Sequence, residues 1–192
     1  AEGKTFHWAG RYDFDLNTAI TLATDLNVFA TFRPVLPEDY RDSEYVFLAN
    51  IDPELQVSVL NQMRSPKLVA LDTMNYWILS KRDALTEALK RVNVVLMNEA
   101  EVRQYTGVAN LLRAAQQILD LGPQALVVKK GEYGAVLFTG GDSVDSYFFA
   151  PAYPLEKVAD PTGAGDTFAG GFVGYLARTR RLTPETIRQA IV

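Results

Sequence analysis

The sequence predicts an α/β fold, a mostly parallel sheet with helices on both faces, preceded by a small antiparallel β layer. Three observations predict it. Short continuous apolar runs alternate with helical patterns, as strands buried on both faces require. Residues 4–32 instead alternate in polarity and are rich in Thr, Phe, Tyr and Trp. Polar and glycine residues gather directly after the apolar runs, which is where open α/β sheets hold ligands.

In residues 4–32, Phe6, Trp8, Ile20 and Leu22 mark two or three antiparallel strands that turn near Asp13 to Asn17. Pro34 and Pro37 punctuate the exit. Tyr45 to Ala49 is the first apolar run. Asp52-Pro53-Glu54 then supplies an N-cap, a first-turn proline and an early acid, and Leu55, Val59, Leu60 and Met63 follow at helical spacing. Lys67 to Asp72 is the next strand. Leu85, Leu89 and Val92 mark one face of a helix. Val94 to Met97 is a third strand, Leu111 to Leu121 a further helix, and Ala125 to Val128 and Ala135 to Phe138 are two more strands. Tyr147 to Phe149 is a candidate sixth. An apolar helix carries Phe168, Phe172, Tyr175 and Leu176, and Thr183-Pro184-Glu185 starts another with Ile187, Ala190 and Ile191. There is no internal repeat or low-complexity tract.

Composition excludes several function classes. The 192 residues carry a net charge of -4, which offers no basic face to nucleic acid or a membrane surface. Arg178, Arg180 and Arg181 read as the charged end of a helix. There is no cysteine, so no disulfide and no thiolate metal site. The single histidine, His7, reads as a strand residue beside Trp8. No apolar run is long enough for a transmembrane helix, and Ala1-Glu2-Gly3-Lys4 has no apolar segment behind it. The expectation is a cytoplasmic protein with no nucleic-acid or membrane partner.

The chemistry concentrates in Asp160-Pro161-Thr162-Gly163-Ala164-Gly165-Asp166. A glycine turn that opens a helix aims several backbone N–H groups at one point, and the helix dipole adds positive potential there. Such a turn suits an anionic group, and Asp166 in the first helical turn could take the proton of an attacking alcohol. The alternative is an ordinary glycine turn with a capping Asp. Gly170, Gly171 and Gly174 lie further along the helix and each costs about 1 kcal/mol against alanine. They call for a reason such as close approach to the sheet or to a ligand. After other strands stand Asp72 and Asn75, then Asn98 and Glu101, then Lys129, Lys130 and Gly131.

Asp160 to Phe168, with Ala169-Gly170-Gly171-Phe172 behind it, resembles the D-T-x-G-A-G-D signature of the ribokinase-like (PfkB) carbohydrate kinases, with proline at its variable second position. The resemblance implies a ribokinase-like fold, with Asp166 as catalytic base and Gly163, Ala164 and Gly165 as the anion hole. Asn98-Glu99-Ala100-Glu101 is similar to the family's N-x-x-E motif, which implies that Asn98 and Glu101 organise phosphate and Mg²⁺, Glu101 through water. By the residues alone, an acidic helix start is the reading for Glu99 and Glu101. Val127 to Ala135 resembles the family's strand-end segment with G-x-x-G. That implies nucleotide contacts for Lys129, Gly131 and Gly134, with Lys130 solvated. Thr162 and Asp160 match positions at which some relatives bind a monovalent cation such as K⁺ near the anion hole, and Thr162 is also a candidate nucleotide contact.

The implied activity is ATP-dependent phosphorylation of a hydroxyl on a sugar or related small molecule. Alternatives are a nucleoside or vitamin-precursor kinase, and a catalytically silent sugar- or nucleotide-binding regulator on the same fold. Residues 1–36 resemble part of the family's β-sheet lid and residues 37–192 its nucleotide and phosphoryl-transfer domain. In the lid, Asp13, Asp15 and Asn17 are candidates for touching a polyol, with a polar hairpin turn as the alternative. Lid sheets in the family sometimes pair between subunits, which admits a homodimer. Against the family pattern the chain reads as a fragment short of both ends and is expected to be inactive in isolation.

Overall fold

The structure is a computed structural model and describes residues 2–14, 16, 19–140 and 146–192. Strands β1 (His7–Tyr12) and β2 (Ala19–Asp25) form a separate two-stranded antiparallel sheet. His7 lies on β1, exposed, with its Nδ1 3.3 Å from Asp25. Strands β3 (Tyr45–Leu48), β4 (Leu68–Asp72), β5 (Val94–Asn98) and β6 (Ala125–Lys129) lie side by side and parallel. β7 (Ala135–Thr139) and β8 (Tyr147–Ala150) complete a six-stranded sheet in sequential order. They run antiparallel. The five residues between β6 and β7 are too few for a parallel crossover, which needs about a dozen.

Four of the seven described α-helices begin at a side-chain cap. α1 (Pro53–Gln62) has Asp52 accepting from the Glu54 amide at 3.0 Å and proline at its first position. α2 (Asn75–Ser80) and α3 (Arg82–Leu89) break at Lys81, which pairs with Asp52 and Glu54. α4 (Glu99–Thr106) follows β5 directly and ends at Gly107, whose φ of 71° is left-handed. α5 (Leu111–Leu119) is capped by Asn110. α6 (Ala164–Thr179) starts from Gly163, and α7 (Pro184–Ile191) from Thr183 in a capping box with Thr186.

The strands alternate faithfully between two cores. Val69, Leu71, Val95, Met97, Leu126 and Val128 face the layer built on Leu85, Leu89, Val102 and Ile118 of α3 to α5. Leu68, Ala70, Val94, Leu96, Ala125 and Val127 face Ala169, Phe172, Val173 and Leu176 of α6, with Ile191 of α7. This double burial explains why the strands read as continuous apolar runs. It also sets the C-terminal ends of β4, β5 and β6 side by side, with Asn98 opposite Lys129 in register.

One expectation for α6 does not hold. A Cβ added to Gly170, Gly171 or Gly174 would meet nothing within 4 Å. These glycines lie on the exposed face of the helix, away from Phe172 and Leu176. Within the described residues neither the sheet nor a loop approaches them closely.

Candidate active site

A cavity of about 610 Å³ opens at the C-terminal ends of β4 to β6, between those ends, the start of α6 and the end of β1. It gathers Asn98, Glu101, Lys129 and Gly131 from the strand ends with Gly163, Ala164, Gly165 and Asp166 from the glycine turn. An adjoining cavity of about 310 Å³ shares Lys129, Gly131, Ala164 and Gly165 and adds Gly134 and Phe168.

The turn is set by local chemistry. Asp160 accepts from the Thr162 amide at 2.8 Å, and Gly163 takes φ 80°, a conformation that favours glycine. Hydrogen bonds from the Thr162 hydroxyl, then from its amide, hold the exposed Asp160 carboxyl below its ordinary range. The Ala164 amide donates to the Pro161 carbonyl at 3.1 Å. The amides of Gly165 and Asp166, in the first turn, have no intrahelical partner by helix geometry. Asp166 lies beside them, exposed to the cavity.

Across the cavity the electrostatics are set by burial. The Lys129 ammonium lies 2.6 Å from Asp72, whose side chain is only 4% exposed. A Cβ on Gly165 would sit 3.1 Å from that same nitrogen, so Lys129 spans from Asp72 to the glycine turn. Burial pushes the Asp72 carboxyl up, and Lys129 and the Thr73 amide offset part of that rise. Glu101 is buried at the start of α4 in a capping box. It accepts from the Asn98 amide at 2.7 Å, and Asn98 accepts from the Glu101 amide at 2.8 Å. Burial pushes the Glu101 carboxyl up to about 7, against the pull of Lys129 and the Asn98 amide.

The N-x-x-E segment is therefore a helix start and a cavity wall at once. Glu99 pairs with Arg103 and with Lys130, whose ammonium is 2.5 Å away. Lys130 is thus half-buried and paired, which corrects the expectation of a solvated lysine. At Gly134, φ is 96° and a Cβ would run into the backbone of Ala150 and Ala152, so close chain packing alone demands glycine there. Asp13 accepts from the Phe14 amide at 3.2 Å and is exposed in a turn, outside the cavity wall. Asp15 and Asn17 lie outside the described residues.

Several residues at the site escaped sequence reasoning. Asp72 was visible only as a polar strand end, and its pairing with Lys129 crosses the intervening strand β5. Thr73 follows it on the cavity floor, and its buried hydroxyl has no hydrogen-bond partner. Gln56, 1% exposed, donates to the carbonyls of Leu48, Ala49 and Asp72 and so ties the ends of β3 and β4 together. A polar residue on the buried face of α1 was its signal. Tyr12 reaches the cavity from β1.

The oxygen donors suit a hard cation such as Mg²⁺ better than a soft one. Asp72, Glu101 and the unpartnered Thr73 hydroxyl are the groups that would serve it, alongside water and phosphate oxygens. Among the described residues no three His, Cys, Asp or Glu side chains cluster as a self-contained metal site. No described helix is long and apolar enough to cross a membrane.

The family model for pfkB carbohydrate kinases matches residues 23–190. The chain is 32% identical over 186 residues to a cytidine kinase of Thermococcus kodakarensis, a match that covers 94% of this chain and 64% of that protein. It is 29% identical over 142 residues to a nucleoside kinase of Methanocaldococcus jannaschii, covering 74% and 44%. The solved structure of the Methanocaldococcus jannaschii nucleoside kinase superposes with a TM-score of 0.71 at 24% identity, covering 99% of this chain and 58% of that one. A ribokinase from Thermotoga maritima superposes with a TM-score of 0.71 at 20% identity, covering 100% and 61%. These two likenesses establish the ribokinase-like fold. The chain spans less than two-thirds of the length of each of these proteins.

Proposed function

This chain belongs to the PfkB family of carbohydrate kinases, and from that premise we propose that the full-length protein transfers the γ-phosphoryl group of ATP to a hydroxyl of a sugar or sugar-bearing small molecule. The observation that carries the reading is the meeting of two features across one cavity. One is a glycine turn with Asp166 in the first turn of its helix. The other is a lysine held against that turn by a buried carboxylate.

The chain's own groups suit in-line transfer. Asp166 orients the acceptor hydroxyl and takes its proton as the oxygen–phosphorus bond forms. A carboxylate is too weak a base to deprotonate a free alcohol beforehand, but phosphoryl transfer has a loose transition state in which positioning dominates. The Gly165 and Asp166 amides and the Lys129 ammonium face the charge that develops on the phosphoryl oxygens. Asp72 and Glu101, with the Thr73 hydroxyl, would hold Mg²⁺ through water, and the bound cation would offset phosphate charge. Asp160 and Thr162 would serve a K⁺ ion beside the turn.

A nucleoside is the second reading for the acceptor. Its support is the likeness to a cytidine kinase over 94% of this chain. Either acceptor presents a ribose-type hydroxyl to the same carboxylate. In the full-length protein, Asp166→Asn should cut turnover by at least about a hundredfold, the scale of a lost general base. ATP binding should survive, because the amides and Lys129 remain. Near-normal turnover with ribose and cytidine as acceptors would remove Asp166 from the reaction.

A further inference from the structure

We propose that Tyr12 is a positioning residue that latches the β1–β2 sheet to the phosphoryl-transfer turn through the hydroxyl of Thr162; this rests on the reading of the Gly163–Asp166 turn given above. The Tyr12 phenol and the Thr162 hydroxyl are hydrogen-bonded at 3.3 Å, across 150 residues of sequence. Thr162 is in turn tied to Asp160 through its amide. The next residue, Gly163, starts the helix that carries the free amides and Asp166. A chain of contacts therefore runs from the small sheet into the turn that aims the anion-binding groups.

The sheet is built to deliver that phenol. Pairing along β1 and β2 slips by one residue, with Ala9 opposite Ala23 and Gly10 opposite Thr21, so Leu22 is the extra residue of a bulge. Bulges bend a strand and re-aim the side chains beyond it. The Trp8 ring folds over Gly10 so closely that any Cβ there would overlap it, and its indole N–H donates to Thr21 at 3.2 Å. Trp8 thus pins the bulge, and Tyr12 lies two residues beyond it on the cavity wall, with Leu16 nearby. At 3.3 Å the bond is long for a pair of hydroxyls, whose usual separation is about 2.7–2.8 Å. It has room to tighten as the sheet closes on bound substrates.

The test uses the full-length protein with Tyr12→Phe, Thr162→Val and the double variant. Both substitutions keep the side chain's bulk and remove one hydroxyl. One hydrogen bond corresponds to a change of roughly threefold to tenfold. With Mg²⁺ and a non-hydrolysable ATP analogue bound, each single variant should speed amide hydrogen exchange in β1 and β2 by that factor. The double variant should add nothing further, as expected of two residues sharing one interaction. With ATP and either ribose or cytidine, Tyr12→Phe should lower turnover by a similar factor while the KM for ATP stays unchanged. Unchanged exchange in both single variants, or additive effects in the double variant, would overturn the latch. Asp166→Asn keeps the two claims apart: if it is inactive while Tyr12→Phe matches wild type in exchange and turnover, only the latch fails. If Asp166→Asn is fully active, the reading of the turn fails instead.

Discussion

Lys129 sits where two demands meet. Its ammonium balances the buried Asp72 carboxylate and also lies against the glycine turn. The pair spans β5, so the two Cα positions are about two strand spacings, or ~10 Å, apart, and only a long side chain closes that gap. Removing the lysine leaves a buried carboxylate without its counter-ion, a loss that typically costs about 3–5 kcal/mol. Lys129→Met should therefore destabilise the protein by about that much near neutral pH. The loss should shrink in acid. Asp72 already binds its proton more tightly when folded than when unfolded, and without Lys129 that excess grows. Stability is then retained at low pH and lost as pH rises through the folded-state titration of Asp72. Denaturant melts of Lys129→Met at pH 5 and pH 8 measure this directly, and equal destabilisation at both values would contradict it. The strand-end position of Lys129 was legible from sequence because the apolar run stops there. Its partner was not, since nothing in a local pattern links residues two strands and 57 positions apart.

At the scale of elements, helix starts do double duty. The capping box of α4 uses Glu101 to satisfy the Asn98 amide, and the price in desolvation raises that carboxyl from an ordinary 4.5 to about 7. A folded-state value above the unfolded one means that Glu101's contribution to stability is greatest below about 4.5 and is lost as pH climbs to about 7. The full effect is on the order of 3 kcal/mol. Glu101→Gln keeps an acceptor for the Asn98 amide but cannot titrate. Without divalent cations, its stability should vary less than wild type between pH 5 and 7. A slope identical to wild type would assign the pH dependence elsewhere. The helix start itself was readable as acid-rich sequence after an apolar strand, whereas the burial that moves the carboxyl is set by tertiary packing that no local pattern records. α6 teaches the converse. Its glycines suggested close packing, yet the structure leaves Gly174 on an exposed face with open space around it. Gly174→Ala should then raise stability by roughly 0.5–1 kcal/mol through helix propensity alone. A loss of stability would mean that this face is packed against something in solution.

The whole molecule divides its energetics between two sheets. The central strands β4, β5 and β6 of the six-stranded sheet are buried on both faces, and residues such as Leu126 have no exposed surface at all. The β1–β2 sheet pairs only with itself, and Ile20 and Leu22 on it are exposed. This division was largely legible in the sequence, because double burial writes continuous apolar runs and single-sided burial writes alternation. What the pattern could not reveal was how the small sheet reaches the cavity, since that depends on a one-residue bulge and on the ring of Trp8 over Gly10. Stability and function should separate along the same line. Leu126→Ala opens a cavity in the centre of the large sheet and should cost about 2–5 kcal/mol. Trp8→Ala removes the ring that pins the bulge, but it acts on a sheet that contributes little to the main core. Global stability, followed by circular dichroism at 222 nm in denaturant, should change by less than about 1 kcal/mol, the range of substitutions outside a packed core. Turnover of the full-length protein should nonetheless fall, because Tyr12 loses its aim at Thr162. If Trp8→Ala were as destabilising as Leu126→Ala, the small sheet would be part of the folding core rather than a separate layer on it.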